Sequence, residues 1–180
     1  MQNVRAIELW RRFDALEQAS CLRINRACRH GGMRQVFTVV SRLGDGPIWY
    51  LLLLAFAASS PEGALIAAQM AVAALFGLAT YRQLKHRLVR ERPYVSHAGI
   101  ELGTAPLDRY SFPSGHTLHA CCFTTLAVAQ VPALAVLLVP FTLLVAGSRV
   151  VLGLHYPTDV LAGAVIGIGI AATTLLLLPV

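Results

Sequence analysis

Apolar residues run along this chain in long stretches that are separated by short polar breaks. The first stretch, 48–58, follows a Gly-Asp-Gly-Pro break whose Pro47 suits the first turn of a helix. The stretch is short for a membrane span, so its helix either begins earlier or lies tilted at the edge. A second stretch, 63–81, is long enough to cross a bilayer core of about 30 Å. Residues 94–112 are polar and predict a loop.

Three further helices are predicted in the second half of the chain, over about 114–130, 133–149 and 157–178. Because backbone groups in lipid must be hydrogen-bonded internally, the pattern predicts an all-α membrane helix bundle of about five transmembrane helices. Gly163 and Gly167 are four residues apart, which predicts a close helix contact within that bundle.

The first thirty residues form a separate, basic segment. Its apolar residues recur at roughly helical spacing between arginines; they are Ile7, Trp10, Phe13, Leu16 and Leu22, with Arg5, Arg11, Arg12, Arg23, Arg26 and Arg29. This predicts an N-terminal amphipathic helix on the membrane surface or, equally, a helix packed on the bundle. We expect one membrane domain over residues 1–180, with the basic arm at 1–32 and the helix bundle at 33–180.

Composition supports a membrane protein and argues against a nucleic-acid-binding one. Hydrophobic residues make up 56% of the chain and charged residues 13%, against about 25% in soluble domains. The net charge is +6, but from Tyr110 onwards the only fully charged residues are Arg149 and Asp159. Most of the chain therefore cannot present the basic face that nucleic-acid binding requires. The four cysteines show neither zinc-site spacing nor a disulfide framework.

Three polar clusters interrupt the apolar pattern, and all three fall at helix ends on the same side of the membrane. The first cluster, residues 85–93, contains Lys85 and Arg92. These two are seven residues apart, about two helical turns, so they share one helix face. Taken alone, this cluster is typical of a positively charged helix end at a membrane interface.

The second cluster, residues 113–116, opens a helix. Ser114 suits a helix start, and free amide groups at such a start bind anions. Gly115 lets an anion approach the backbone closely. His116 then lies one step from a bound phosphate.

The third cluster, residues 148–159, joins two helices. Arg149 ends one of them, and Pro157 begins the next. Asp159 falls in the first turn, from which it can reach back to His155. A carboxylate bonded to one imidazole nitrogen fixes the tautomer and leaves the other nitrogen free to attack. Ionisable residues in an apolar stretch are functional candidates.

Together the clusters resemble the three-part signature of the type 2 phosphatidic acid phosphatase (PAP2) superfamily. That pattern is K-x6-R-P, then P-S-G-H, then S-R-x5-H-x3-D, and this chain meets every position with the right internal spacing. The resemblance covers residues 85–160 strongly and the flanking helices loosely. The basic arm lies outside it.

The resemblance implies a role for each motif residue. His155 is the nucleophile that forms a phosphohistidine, Asp159 orients it, and His116 is the general acid. The phosphate oxygens are held by Lys85, Arg92, Ser114, Gly115 and Arg149. No metal and no cofactor is implied, since cationic side chains supply the positive charge. The sequence agrees, because it contains no cluster of carboxylates suited to magnesium.

The superfamily also contains soluble acid phosphatases and haloperoxidases, and the apolar helices argue against both. The expected function is hydrolysis of a lipid phosphate monoester or pyrophosphate, with polyprenyl pyrophosphate, phosphatidylglycerophosphate, phosphatidic acid and lipid A phosphates as candidates. One alternative is a lipid phosphotransferase that uses the same phosphohistidine. Another is a non-catalytic lipid-binding protein, against which the intact motifs argue. The sequence leaves open whether the chain forms a homodimer.

The side of the membrane is in conflict. The resemblance implies a multi-pass protein of a bacterial-type inner membrane with its active site outside the cytoplasm. The positive-inside rule argues for a cytoplasmic site, because the basic arm and the catalytic helix ends lie on one side. Among residues outside the motifs, His119 is expected to pack in the bundle. Asp108 and Arg109 are expected to contact the lipid headgroup.

Overall fold

The computed structural model describes residues 2–180, without the side chains of residues 2–7, 9–11 and 13. All regular structure in this part is helical: α1 Gln2–Asn25, α2 Gly31–Leu43, α3 Pro47–Ser59, α4 Pro61–Arg87, α5 Pro93–Ser96, α6 Gly115–Gln130, α7 Ala135–Val151 and α8 Pro157–Leu177. Short 3-10 turns at Arg26–Arg29 and Pro132–Leu134 precede α2 and α7. The predicted all-α class is confirmed.

Within the described residues, three helices are long and apolar enough to cross a membrane: α4, α8, and α7 with its preceding turn. Helices α2 and α3 meet at a bend of 41° and add a fourth span if the pair counts as one. Helix α6 has 16 residues and is shorter than these spans. It lies at the centre of the bundle, where it contacts α4, α7 and α8. The chain is thus a multi-pass membrane protein.

The bundle buries an aromatic centre and exposes aliphatic residues. Trp49 stacks on Phe123, with ring centroids 5.3 Å apart, and packs at an angle on Phe141. On the outside, Val136 is 85% exposed and Leu176 is 82% exposed. In water this surface would be unstable, whereas lipid solvates it without cost.

Glycines set the closest helix pair, which is α6 against α8. A methyl group at Gly163 would lie 2.5 Å from the carbonyl oxygen of Ser114. At Gly167 it would overlap the carbonyl oxygen of Leu118. The predicted close contact is therefore present, and it brings the starts of both helices together.

The helix boundaries differ from the predicted ones in three places. Helix α2 was not predicted separately, because the pair Gly31-Gly32 at its start is a helix-breaking signal. Helix α4 ends at Arg87, so Lys85 is helical but Arg92 is not, and the prediction that these two residues share one helix face is wrong. The predicted loop after α4 begins with the single turn α5.

The buried face of α1 differs from a simple amphipathic pattern. Leu16 is 68% exposed, whereas Glu17, Cys21 and Asn25 are buried. These three residues are spaced by four, so a polar stripe of α1 packs onto the bundle. The C-terminal half of α1 is therefore the packed helix of the two alternatives; Ile7, Trp10 and Phe13 lie outside the described side chains.

Candidate active site

The turn between α7 and α8 places His155. Gly153 has φ of 72°, a left-handed conformation that suits glycine at a helix end. A side chain there would also meet the Glu101 carbonyl oxygen at 2.7 Å. The carbonyl oxygen of Arg149 accepts the N–H groups of Leu154 and His155, each at 3.1 Å. The turn therefore joins His155 to Arg149 by a direct backbone hydrogen bond.

His155 is 2% exposed and faces positive charge. Its Nε2 lies 3.5 Å from Nη1 of Arg92. Burial holds the pKa of His155 well below its ordinary value, and the charges of Arg149, Arg92 and Lys85 lower it further. The imidazole is therefore neutral at neutral pH, and a neutral ring keeps a lone pair with which it can attack phosphorus.

Asp159 lies in the first turn of α8 and is fully buried. One carboxylate oxygen, Oδ2, accepts the backbone N–H of Tyr156 at 2.8 Å. The other, Oδ1, accepts from Nη1 of Arg90 at 2.7 Å. The distance from Oδ2 to His155 Nδ1 is 3.8 Å, which is beyond hydrogen-bond length. Asp159 thus lies beside the imidazole, but the expected hydrogen bond between them is not formed.

Arg92 and Lys85 converge on one carboxylate. Arg92 is 1% exposed and donates from Nη1 to the Leu154 carbonyl oxygen at 2.8 Å. Its Nη2 lies 2.7 Å from Oδ1 of Asp108, and Nζ of Lys85 lies 2.5 Å from the same oxygen. An anion held between these two cations would need the same space as this carboxylate.

Asp108 is held firmly by its partners. Tyr81, one helical turn before Lys85, donates its hydroxyl to Oδ2 of Asp108. Burial raises the pKa of Asp108, but the hydrogen bonds from Lys85 and Tyr81 and the charge of Lys85 outweigh it. The pKa of this carboxyl is therefore below its ordinary value, and Asp108 is ionised at neutral pH. Arg109, by contrast, is 75% exposed and lies 3.6 Å from Glu91.

The third cation, Arg149, is 3% exposed and donates from Nη1 to the hydroxyl of Ser41 on α2. Its Nε has no hydrogen-bond partner among the described residues. A buried guanidinium with an unused donor is suited to an incoming anion.

The start of α6 contacts α8 through Asp159 and α4 through Tyr81. The Ser114 N–H donates to the Asp159 carbonyl oxygen at 3.1 Å, and its hydroxyl lies 2.9 Å from that of Thr117. Gly115 packs on Tyr81, whose ring a methyl group would meet at 2.8 Å. The backbone N–H of Ser114 is thus already engaged, which leaves the Ser114 hydroxyl and the Gly115 backbone N–H as the predicted phosphate-binding groups at this helix start.

The two histidines of α6 have different partners. His116 Nε2 lies 3.2 Å from Oδ1 of Asp45, and the His116 side chain is 9% exposed. His119 Nδ1 lies 3.0 Å from the Gly115 carbonyl oxygen, within its own helix. Asp45 is thus the carboxylate that contacts the residue expected to act as the general acid.

Several residues beside the motif residues escaped the sequence analysis. Tyr81 could have been found, because it is four residues before Lys85 on one helix face. Asp45 was visible only as part of a turn, and nothing in the local pattern paired it with His116. Ser41 and Glu17 are far from the motifs in sequence, so only the packing of α2 and α1 brings them near. Among the described residues, no group of three or more His, Cys, Asp or Glu side chains is arranged to hold a metal ion.

Known proteins resemble this chain in sequence and fold. Decaprenylphosphoryl-5-phosphoribose phosphatase of Mycolicibacterium smegmatis is 42% identical over 82 residues, which cover 44% of this chain and 42% of that relative. The match thus spans less than half of the relative's length. The crystal structure of Aquifex aeolicus LpxE has a TM-score of 0.77 and 27% identity, covering 87% of this chain and 93% of LpxE.

A second solved structure shares the fold. It is a transmembrane PAP2-type phosphatidylglycerolphosphate phosphatase from Bacillus subtilis, with a TM-score of 0.60 and 24% identity, covering 93% of this chain and 92% of that one. The model of the PAP2 superfamily matches residues 64–179, more than half of the chain and a range that includes all three motif clusters. This chain therefore belongs to the PAP2 superfamily.

Proposed function

We propose that this protein is an integral membrane lipid phosphatase that works through a phosphohistidine at His155. The observation that carries the proposal is the position of the His155 imidazole, which is buried with its Nε2 3.5 Å from Nη1 of Arg92. Burial and the charges of Arg149, Arg92 and Lys85 lower the pKa of this imidazole. Membership of the PAP2 superfamily and the phosphatase named above support the reaction class. The apolar outer surface supports a substrate that is delivered from the bilayer.

The first chemical step is attack on phosphorus. Lys85, Arg92 and Arg149 hold the phosphate oxygens, together with the Gly115 amide, and neutralise their charge. Nε2 of His155 forms a bond to phosphorus as the bond from phosphorus to the lipid oxygen breaks.

The remaining steps move protons and restore the enzyme. His116 gives its proton to the departing lipid oxygen. Water then attacks the phosphohistidine and returns a proton to His116, which releases phosphate and frees His155. Asp159 stabilises the positive charge that the phosphorylated imidazole carries.

A lipid phosphate panel tests the reaction class on detergent-purified protein. The panel contains a polyprenylphosphoryl sugar phosphate, a polyprenyl pyrophosphate, phosphatidylglycerophosphate, phosphatidic acid and lipid A. We expect phosphate release that His155→Ala abolishes. His86→Ala is the matched control, because His86 is exposed beside Lys85. Full activity of His155→Ala would refute the phosphohistidine mechanism.

The products separate hydrolysis from transfer to a second lipid. Hydrolysis releases free phosphate in step with the dephosphorylated lipid. A phosphotransferase would instead yield a phosphorylated acceptor lipid with little free phosphate, and that outcome would replace the proposed hydrolase. A non-catalytic lipid-binding protein would release neither product.

Location remains part of the proposal. We place the chain in a bacterial-type inner membrane with the site outside the cytoplasm, although the basic arm argues for the opposite side. Labelling of Glu101→Cys by a membrane-impermeant thiol reagent in intact cells decides this, since Glu101 is exposed and near the site. The unsubstituted chain is the control; Cys21, Cys28 and Cys122 are buried. We also propose that residues 1–180 form a single domain and that the chain forms a homodimer.

A further inference from the structure

A buried carboxylate from α1 reaches the start of α8. Glu17 is 6% exposed, although its neighbours in sequence are mostly accessible. Its Oε1 accepts the backbone N–H of Thr158 at 3.0 Å and also the Thr158 hydroxyl. Its Oε2 lies 2.5 Å from Nη2 of Arg90. Burying a charged side chain is costly unless it is paired, and the hydrogen bonds to both Glu17 oxygens offset that cost.

Arg90 links that carboxylate to the site. Its Nη1 donates to Asp159 Oδ1 at 2.7 Å and to the Thr158 hydroxyl at 2.8 Å. Its guanidinium also stacks on the Tyr156 ring, 3.9 Å from the ring centre. The plane of Arg90 is therefore fixed on its edge by Glu17 and on its face by Tyr156.

We propose that Glu17 is a positioning residue for the phosphoryl transfer at His155, acting through Arg90 on Asp159. The inference rests on the proposed function, because it concerns the same nucleophile. Glu17 lies outside residues 64–179, so the contribution comes from the N-terminal arm rather than from the matched family segment.

Glu17 holds α1 in place and also sets the net charge of the group formed by Glu17, Arg90 and Asp159. Arg90 paired with Asp159 alone would cancel the negative charge that the phosphorylated imidazole needs beside it. With Glu17 bound to the other edge of Arg90, the three side chains carry a net charge of −1. Asp159 Oδ2, which is 3.8 Å from His155 Nδ1, thus keeps its negative charge for His155.

Geometry points the same way. Asp159 Oδ1 is fixed by Arg90, and Oδ2 is fixed by the Tyr156 N–H. Releasing Arg90 removes one of these two restraints and lets the carboxylate turn away from the imidazole. Since small misplacements of a catalytic group slow a reaction by about ten- to a hundredfold, the loss should appear in the chemical step.

The test compares Glu17→Gln with wild type on a lipid that the wild type hydrolyses. We expect kcat to fall about tenfold, while KM and the inhibition constant of inorganic phosphate change less than about twofold, because the phosphate-holding cations are untouched. Glu17→Asp keeps the charge, so its kcat should be at least about threefold higher than that of Glu17→Gln. Asp14→Asn is the matched control, since Asp14 is an exposed carboxylate one turn away on α1.

Three results overturn the inference while the proposed function stands. The first is a wild-type kcat in Glu17→Gln. The second is a loss of kcat that matches the fraction of unfolded protein, and the third is a loss in which KM and the phosphate inhibition constant rise equally; both of these assign Glu17 a structural role. A wild-type protein that releases no phosphate from any lipid would overturn both the proposed function and this inference.

Discussion

Asp108 and a bound phosphate should compete for the same cations. In the structure, the Asp108 carboxylate lies 2.5 Å from Nζ of Lys85 and 2.7 Å from Nη2 of Arg92. We expect Asp108→Asn to tighten phosphate binding, because it removes the competing charge. Arg92 should stay in place, since it also donates to the backbone carbonyl oxygens of Leu154 and of residue 108 itself.

The size of the effect follows from the two bonds that must be exchanged. Hydrogen bonds to charged groups contribute about 1.5–3 kcal/mol each, so the pair sets an upper limit of about 3–6 kcal/mol. The Asp108 side chain is 30% exposed and regains water when it is displaced, and asparagine keeps a neutral hydrogen bond. A net gain of roughly 1.4 kcal/mol is reasonable, which is a tenfold tighter binding constant.

The assay is competitive inhibition of lipid hydrolysis by inorganic phosphate at neutral pH. We expect the inhibition constant to fall about tenfold in Asp108→Asn. Glu91→Gln is the control, because that carboxylate pairs at 3.6 Å with exposed Arg109, the residue next to Asp108. If the inhibition constant of phosphate is unchanged or higher in Asp108→Asn, then Asp108 positions Lys85 and Arg92 and does not compete with phosphate for them.

Three further predictions test other parts of the structure. Because the pKa of His155 is depressed, kcat/KM should stay on its plateau as pH falls to 6.5 and decline only below it; an acid limb centred at or above 6.5 would contradict this. Gly167→Ala should lower the unfolding midpoint in detergent by an amount equivalent to about 1–3 kcal/mol, whereas Gly169→Ala, with open space around it, should not. Arg149→Ala should reduce kcat/KM about a hundredfold, measured beside Arg82→Ala, whose exposed side chain on α4 should have no such effect.

Most residues of the candidate site could be predicted from the spacing of residues within the three motifs. His155 and Asp159 are four residues apart across a helix start, whereas Lys85 lies in the last turn of α4 and Arg92 lies five residues beyond the end of that helix. The hydrophobic pattern fixed which helix ends share a side, so their meeting could be expected. The pair Gly163 and Gly167 predicted a close helix contact, and the structure shows that the partner helix is α6. PAP2 membership, expected from the three motifs, is confirmed.

The sequence by itself determined the helical class, the family and the cluster of motif residues, because each depends on short-range periodicity and spacing. Tertiary structure alone decided the partners of those residues. Glu17 is 73 residues from Arg90 and 141 from Thr158, and no local pattern links such distant groups. Asp45 beside His116, and Asp108 between two cations, depend likewise on how loops fold over helix ends. Charged groups that are buried in an apolar bundle must be paired with opposite charges, and the complete packing determines which groups pair.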